Sequence, residues 1–168
     1  MNKALFLDRD GVINIEKNYL HKIEDFEFTE GIFSLCRRFS EAGYSIVVVT
    51  NQSGIARKMY SEEDFNQLTL WMNAQFLQKG IVIDKVYHCP HHPDITGVCE
   101  CRKPKPQMLL EAQKLLDIDM SLSVMVGDKE RDIEAGINAN VQRNYLFTHE
   151  DISTKANKRV TSLDEIEV

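Results

Sequence analysis

Short runs of apolar residues alternate along this chain with longer segments whose apolar residues recur at helical spacing. Residues 4–7 (Ala-Leu-Phe-Leu) predict a short buried strand. Residues 45–49 (Ser-Ile-Val-Val-Val) predict one of the β-branched kind that lies inside a parallel sheet, where both faces are covered. Two further strands are predicted at 82–87 and 123–126, and a fifth near 143–147. Between the first two strands, Ile32, Leu35, Cys36 and Phe39 share one helical face, and Gly43 follows where a helix would stop. Ser61-Glu-Glu-Asp64 has the form of a capping box and opens a helix carrying Phe65, Leu68, Met72 and Phe76 on one stripe before Gly80. A third helix is predicted after Pro106, with Met108, Leu109, Ala112, Leu115 and Leu116, and a fourth over Arg131–Asn138. Cys36 and the helical stripes are assigned to the core. No repeat, low-complexity tract or linker interrupts the alternation. It predicts a single α/β domain over residues 1–168, built on a doubly wound parallel sheet.

Composition narrows the partners. With 168 residues, 43% hydrophobic and 27% charged, the chain can bury a core without disulfides. Its formal net charge of −6 and the lack of a basic stripe argue against nucleic acid. No apolar run reaches the 18 or so residues of a membrane span, and the residues after Met1 show no signal-peptide pattern, so a cytoplasmic monomer is expected.

The chemistry sits after the strands. The first ends in Asp8, the second in Thr50 and the fourth in Gly127-Asp128. In a doubly wound sheet the carboxyl ends of the strands form one rim, so these side chains are expected to converge on one crevice. Asp8-Arg9-Asp10-Gly11 adds a second carboxylate two residues after the first, which gives the pair similar directions. An Asp-x-Asp pair is commonplace in solvated turns. Its combination with Thr50-Asn51, Arg102-Lys103 and Gly127-Asp128-Lys129, in this order, is not.

A second constellation is Cys89-Pro-His91-His92 followed by Cys99-Glu-Cys101. Clustered cysteines in a chain of this kind favour metal over disulfide. Cys89, His91, Cys99 and Cys101 suit a closed tetrahedral Zn²⁺ site, structural because it leaves no position open for water. Spacing favours His91 over His92, and His88 is read as the end of a strand.

The strings Asp8-Arg9-Asp10-Gly11-Val12, Thr50, Lys103, and Gly127-Asp128 with Asp132 resemble the motifs of the haloacid dehalogenase superfamily of phosphatases, with Val12 in place of the more frequent Thr. The resemblance implies a Rossmann-like sheet, a two-step phosphoryl transfer through an aspartyl-phosphate, and Mg²⁺ held by Asp8, Asp128 and the Asp10 carbonyl. Physical chemistry points the same way, because a carboxylate nucleophile and a phosphate repel until a hard cation neutralises them. Asp8 is then the nucleophile and Asp10 the proton donor and later base. Thr50 and Lys103 serve as donors to the phosphoryl oxygens.

Cys-x-His with Cys-x-Cys directly before Arg102-Lys103-Pro104 is similar to the zinc-bearing group of that superfamily acting on histidinol phosphate and on D-glycero-D-manno-heptose 1,7-bisphosphate. Val48-Val-Thr-Asn-Gln-Ser-Gly-Ile-Ala-Arg57 and Met125-Val-Gly-Asp-Lys129 favour the heptose branch, whose members serve surface-polysaccharide synthesis; the short segment between His91 and Cys99 is nearer to the histidinol-phosphate branch. A non-catalytic zinc-bearing module is the remote alternative. The resemblance implies that Arg9, Glu16, Tyr19, Asn51, Gln52, Ser53, Arg57, Arg102 and Lys129 contact a small phosphorylated sugar. No large insertion follows either of the first two strands, so a minimal cap and an open site are expected.

Overall fold

The computed structural model describes residues 1–168. Its elements are β1 (Lys3–Leu7), α1 (Ile32–Glu41), β2 (Tyr44–Asn51), α2 (Glu62–Gln78), β3 (Lys85–Cys89), α3 (Gln107–Leu116), β4 (Val124–Gly127), α4 (Glu130–Asn138), β5 (Arg143–Phe147) and β6 (Lys158–Val160), with single 3₁₀ turns at Ile23–Asp25, Met120–Leu122 and Leu163–Glu165. All six strands are parallel, in the order β3-β2-β1-β4-β5-β6.

The β-branched and apolar runs form this sheet because it is covered on both faces. Leu5, Leu7, Ile46, Val48, Val124 and Val126 pack with Leu35 and Phe39 of α1 and Leu68, Met72 and Phe76 of α2. Ala4, Phe6, Val47, Val49 and Met125 face the other way, onto Met108, Leu109 and Ala112 of α3 and Ala135 of α4. The alternation along each strand assigns its side chains to the two layers. Cys36 is fully buried in the first layer, as the helical stripe predicts, and the Ser61–Asp64 capping box forms at the start of α2. No helix is long and apolar enough to cross a membrane.

Three expectations need correction. The third strand begins at Lys85 and not at residue 82, because Asp84 takes the Ile46 N–H on its carboxylate at 2.7 Å and the ladder starts after it. Leu115 is 61% exposed, since the inward stripe of α3 runs through Met108, Leu109, Ala112 and Leu116. The polar tail also holds an unforeseen edge strand, β6, beyond which Leu163 and Ile166 bury against α1 while Arg38 donates to the Ile166 carbonyl at 2.6 Å.

The chain lays β2 and β3 on one side of β1 and then returns to place β4, β5 and β6 on the other. The carboxyl ends of β1 and β4 are therefore neighbours across a reversal of winding direction, which is where open α/β sheets leave a crevice for ligands. Only loops and one 3₁₀ turn lie between β1 and α1, so no inserted domain stands over it.

The two faces of α3 give a test of this packing: Leu109→Ala is expected to cost about 2–5 kcal/mol, and Leu115→Ala no more than about 0.5 kcal/mol, read by urea unfolding. Equal costs would mean that α3 is rotated from the orientation described.

Candidate active site

A cleft of about 330 Å³ opens at this crevice, lined by Asp8, Asp10, Glu16, Asn18, Tyr19, Asn51, Gln52, Ser53, Gly54, Arg57, Tyr60, His92, Arg102, Lys103, Asp128, Lys129 and Arg131. Asp8 immediately follows β1, Asn51 ends β2 and Asp128 immediately follows β4, so the sheet itself converges them. The remaining groups come from the loops that leave those strands, from the segment before α3 and, for Arg131, from the first turn of α4.

The centre of the site is Lys103. It is 1% exposed, and its Nζ lies 3.0 Å from Asp8 Oδ1, 2.7 Å from Asp132 Oδ1 and 2.7 Å from the Val49 carbonyl. Burial by itself would lower the ammonium's pKa, but Asp132 and then Asp8 outweigh it, so the pKa is raised and the charge stays. The carboxylates are held in the opposite condition. Burial, and next the charge of Asp132, push Asp8 well above the usual carboxylate range against the opposing pull of Lys103. Asp128 is pushed up to about 6 by burial and by Asp132.

One divalent cation would relieve this strain. Carboxylate oxygens of Asp8, Asp128 and Asp132 lie within 4.8 Å of one another, and Asp128 Oδ1 is buried without a hydrogen-bond partner. An all-oxygen donor set with two carboxylates in excess over the one ammonium suits a hard cation such as Mg²⁺. Gly11 keeps the place open: its φ is +89°, and a Cβ there would lie 2.1 Å from Asp128 Oδ2. Asp132 has a second task, its Oδ2 accepting the Lys129 N–H at 3.0 Å to cap α4.

Asp10 lines the cleft with 19% of its side chain exposed. Its Oδ1 accepts from an Arg9 guanidinium nitrogen and from Asn14 Nδ2, each at 3.0 Å. Arg9 accordingly corrects an expectation. It is 1% exposed, spends its guanidinium on Asp10 and the Leu20 carbonyl, stacks over Phe65 and does not line the cleft. Thr50 is fully buried and also absent from the lining; its Oγ1 accepts from Gln52 Nε2 at 2.9 Å.

The other expected residues, Glu16, Tyr19, Asn51, Gln52, Ser53, Arg57, Arg102 and Lys129, all line the cleft. Glu16 accepts the Asn18 N–H at 2.8 Å, and Asn18 and Tyr19 both adopt left-handed backbone angles, which carries Tyr19 onto the wall opposite Arg57, 5.8 Å from its ring. Arg57, Arg102, Lys129 and Arg131 place four cations on the wall around the acidic floor. Asn18, Tyr60, His92 and Arg131 went unnoticed as cleft groups in the sequence. Arg131 reads there as one more helix residue, and nothing in the order of residues marks Tyr60 as a neighbour of the strand ends.

Beside the cleft, the Sγ atoms of Cys89, Cys99 and Cys101 form a group with separations of 2.7–3.8 Å. The His91 N–H points at the Cys89 sulfur, and those of Cys101 and Arg102 at the Cys99 sulfur. Burial would raise the Cys99 pKa, yet these N–H donors hold it below the usual thiol value, a setting for thiolate and for a soft cation. The imidazole of His91 stands outside the three-sulfur group. His92 sits on the cleft wall with Nδ1 accepting the Asp94 N–H at 3.2 Å, and His88, expected to end its strand, lies one residue before the end of β3 and pairs with Glu62 at 2.7 Å.

Residues 2–140 match the family model of haloacid dehalogenase-like hydrolases. The chain belongs to the haloacid dehalogenase-like hydrolase family. It is 50% identical over 164 residues, 98% of this chain and 93% of the relative, to the D-glycero-alpha-D-manno-heptose-1,7-bisphosphate 7-phosphatase of Campylobacter jejuni. It is also 50% identical over 143 residues, 82% of this chain and 76% of the relative, to the D-glycero-beta-D-manno-heptose-1,7-bisphosphate 7-phosphatase of Yersinia pestis. Among solved structures, the D,D-heptose 1,7-bisphosphate phosphatase of B. bronchiseptica, complexed with magnesium and phosphate, superposes with a TM-score of 0.83 at 29% identity over 96% of this chain and 93% of that one. With these likenesses the chain is a phosphatase, a phosphoric monoester hydrolase of a family that uses Mg²⁺.

Replacing Lys103 by Met keeps the length of the side chain and removes the charge between Asp8 and Asp132. Lys103→Met is expected to abolish turnover and to lower stability by about 3–5 kcal/mol, the cost of breaking one side of a buried ion pair. Phosphate release together with urea unfolding measures both, and wild-type stability would remove Lys103 from the centre of the site.

Proposed function

We propose that this chain, over residues 1–168 as one phosphatase domain, removes the C7 phosphate of D-glycero-D-manno-heptose 1,7-bisphosphate. The observation that carries this reading is the division of charge in the cleft: a reacting end built from Asp8, Asp10, Asp128 and Lys103, and a wall carrying Arg57, Arg102, Lys129 and Arg131. A substrate with one phosphate to cleave and one to hold matches both parts. The names of the relatives at 50% identity support the same sugar.

An Asp8 carboxylate oxygen attacks phosphorus while the bond from phosphorus to the C7 oxygen breaks, and Asp10 gives its proton to that departing oxygen. Asp10 then takes a proton from water, whose oxygen attacks the aspartyl-phosphate and frees Asp8 with release of inorganic phosphate. Lys103, 3.0 Å from Asp8 Oδ1, supplies positive charge as negative charge shifts between nucleophile and leaving group. Backbone N–H groups after Asp8 and Thr50 hold the phosphoryl oxygens, and the buried Thr50 hydroxyl, bonded to Gln52 Nε2, supports that loop from behind. A Mg²⁺ held by Asp8, Asp128 and the Asp10 carbonyl would neutralise the phosphoryl group enough for a carboxylate to approach. Glu16, Tyr19, Asn51 and Ser53 serve the sugar and phosphate from the loops, whereas Gln52, 2% exposed with its amide spent on Asp10, Thr50 and Tyr60, supports them from behind. A Zn²⁺ on Cys89, Cys99 and Cys101, with His91 as fourth ligand, would hold the loop that leads into Arg102 and Lys103. The enzyme is taken to act as a monomer in the cytoplasm, and the net charge of −6 supports a small sugar phosphate over nucleic acid or membrane as its partner.

Phosphate release is to be measured on both heptose bisphosphate anomers, histidinol phosphate and simple sugar monophosphates, each with Mg²⁺ and with EDTA. The expected result is a Mg²⁺-dependent preference for one heptose anomer, abolished by Asp8→Asn without loss of fold; preference for histidinol phosphate overturns the substrate. Separately, Cys101→Ser is expected to lose bound zinc and to melt at lower temperature while activity per folded molecule changes little. Metal analysis with thermal unfolding decides this, and normal zinc with normal melting sinks the structural-metal reading.

A further inference from the structure

Gln52 lines the cleft and yet is 2% exposed, because its amide is engaged on both sides. Its Nε2 donates to Asp10 Oδ2 at 3.0 Å and to Thr50 Oγ1 at 2.9 Å, and its Oε1 accepts from the hydroxyl of Tyr60. Tyr60 is 7% exposed and is held on its own account: His21 stacks on its ring with centroids 5.1 Å apart, and Gly54 lies so close that a Cβ there would fall 2.1 Å from the ring. The glycine of Ser53-Gly54-Ile55 thus makes room for the tyrosine.

From this arrangement we infer that Gln52 and Tyr60 are positioning residues for proton transfer by Asp10. Asp10 Oδ2 accepts at this contact, so the amide turns its nitrogen towards it; the Tyr60 hydroxyl, donating to the opposite end, locks that orientation. Arg9 and Asn14 also bond Asp10, but both belong to its own loop and move with it. Gln52 arrives from the end of β2, and it is the donor that fixes the Asp10 carboxyl relative to Thr50 and the phosphoryl-binding loop. Its second bond, to Thr50 Oγ1, occupies a lone pair of that hydroxyl, which donates in turn to the Asn51 carbonyl at 3.4 Å. Tyr60 and Gln52 touch neither phosphorus nor the leaving group; they act through Asp10.

The inference rests on the aspartyl-phosphate mechanism and not on the identity of the sugar, so its test uses aryl phosphates whose phenols span a range of acidity. A departing p-nitrophenolate leaves without a proton, whereas a poorly acidic phenol needs one from Asp10. Tyr60→Phe removes one hydroxyl, and Gln52→Met keeps the volume while removing both donors. For Gln52→Met, kcat/KM is expected to fall about tenfold for the least acidic phenol, part of the roughly 10²–10⁴-fold that a placed general acid contributes. Little change is expected with p-nitrophenyl phosphate, and Tyr60→Phe should show a smaller loss with the same slope. A uniform loss across the series, or a wild-type dependence on phenol acidity in both variants, overturns the positioning role. The wild-type enzyme's turnover of the same series separates that outcome from a failure of the phosphatase reading, since it requires no heptose.

Discussion

The ammonium of Lys103, buried between Asp8 and Asp132, is the interaction on which the rest of the site depends. It ties the end of β1 to the first turn of α4 through a residue from the loop before α3, so three separate parts of the chain meet on one charge. Removing a charge from water costs several kcal/mol, and the cost is offset here by two carboxylates and the Val49 carbonyl in close contact. The carboxylates in turn exceed the lysine in number. Burial and mutual repulsion raise Asp8 and Asp128, a surplus of negative charge that a bound cation would relieve.

The cysteine cluster is part of the same construction. Cys99 and Cys101 lead directly into Arg102 and Lys103, and Cys89 ends β3 at the edge of the sheet. A loop of small and polar residues has too little apolar surface to fix its own course; Ile95 and Val98 point into solvent. The three sulfurs gather that loop against the sheet, and Lys105 adds a bond from its Nζ to the Cys99 carbonyl. The cluster holds the loop that precedes Arg102 and Lys103 and stands outside the reacting groups.

A strongly acidic floor and a basic wall sit within one cleft of a chain whose net charge is negative. At these distances the few local charges dominate over the total, since ions screen the remainder over about 8–10 Å in ordinary salt. Such a site accepts an anion despite the sign of the molecule. It also discriminates, because a ligand with only one anionic end leaves part of the wall unpaired.

Much of this was legible in the order of residues. The apolar runs and helical stripes mark five strands and four helices, because burial on two faces of a parallel sheet leaves an unmistakable pattern. Asp8, Asp10, Asp128 and the cysteine spacing announce phosphoryl chemistry and a metal. Local sequence cannot say which polar groups meet across the sheet. Arg9 stands between two site aspartates and turns inward, since the turn that follows β1 leaves it facing Phe65 and the Leu20 carbonyl. Tyr60, eight residues from Gln52 in an unremarkable stretch, becomes its hydrogen-bond partner. The strand β6 carries too few apolar residues to register and exists because β5 offers it an edge. The sequence by itself determined the fold class, which follows from periodicity, and named the candidate reacting residues through its resemblance to a phosphatase family. Only the tertiary structure decided which side chains reach the cleft and which support it from behind, because that depends on contacts between segments distant along the chain.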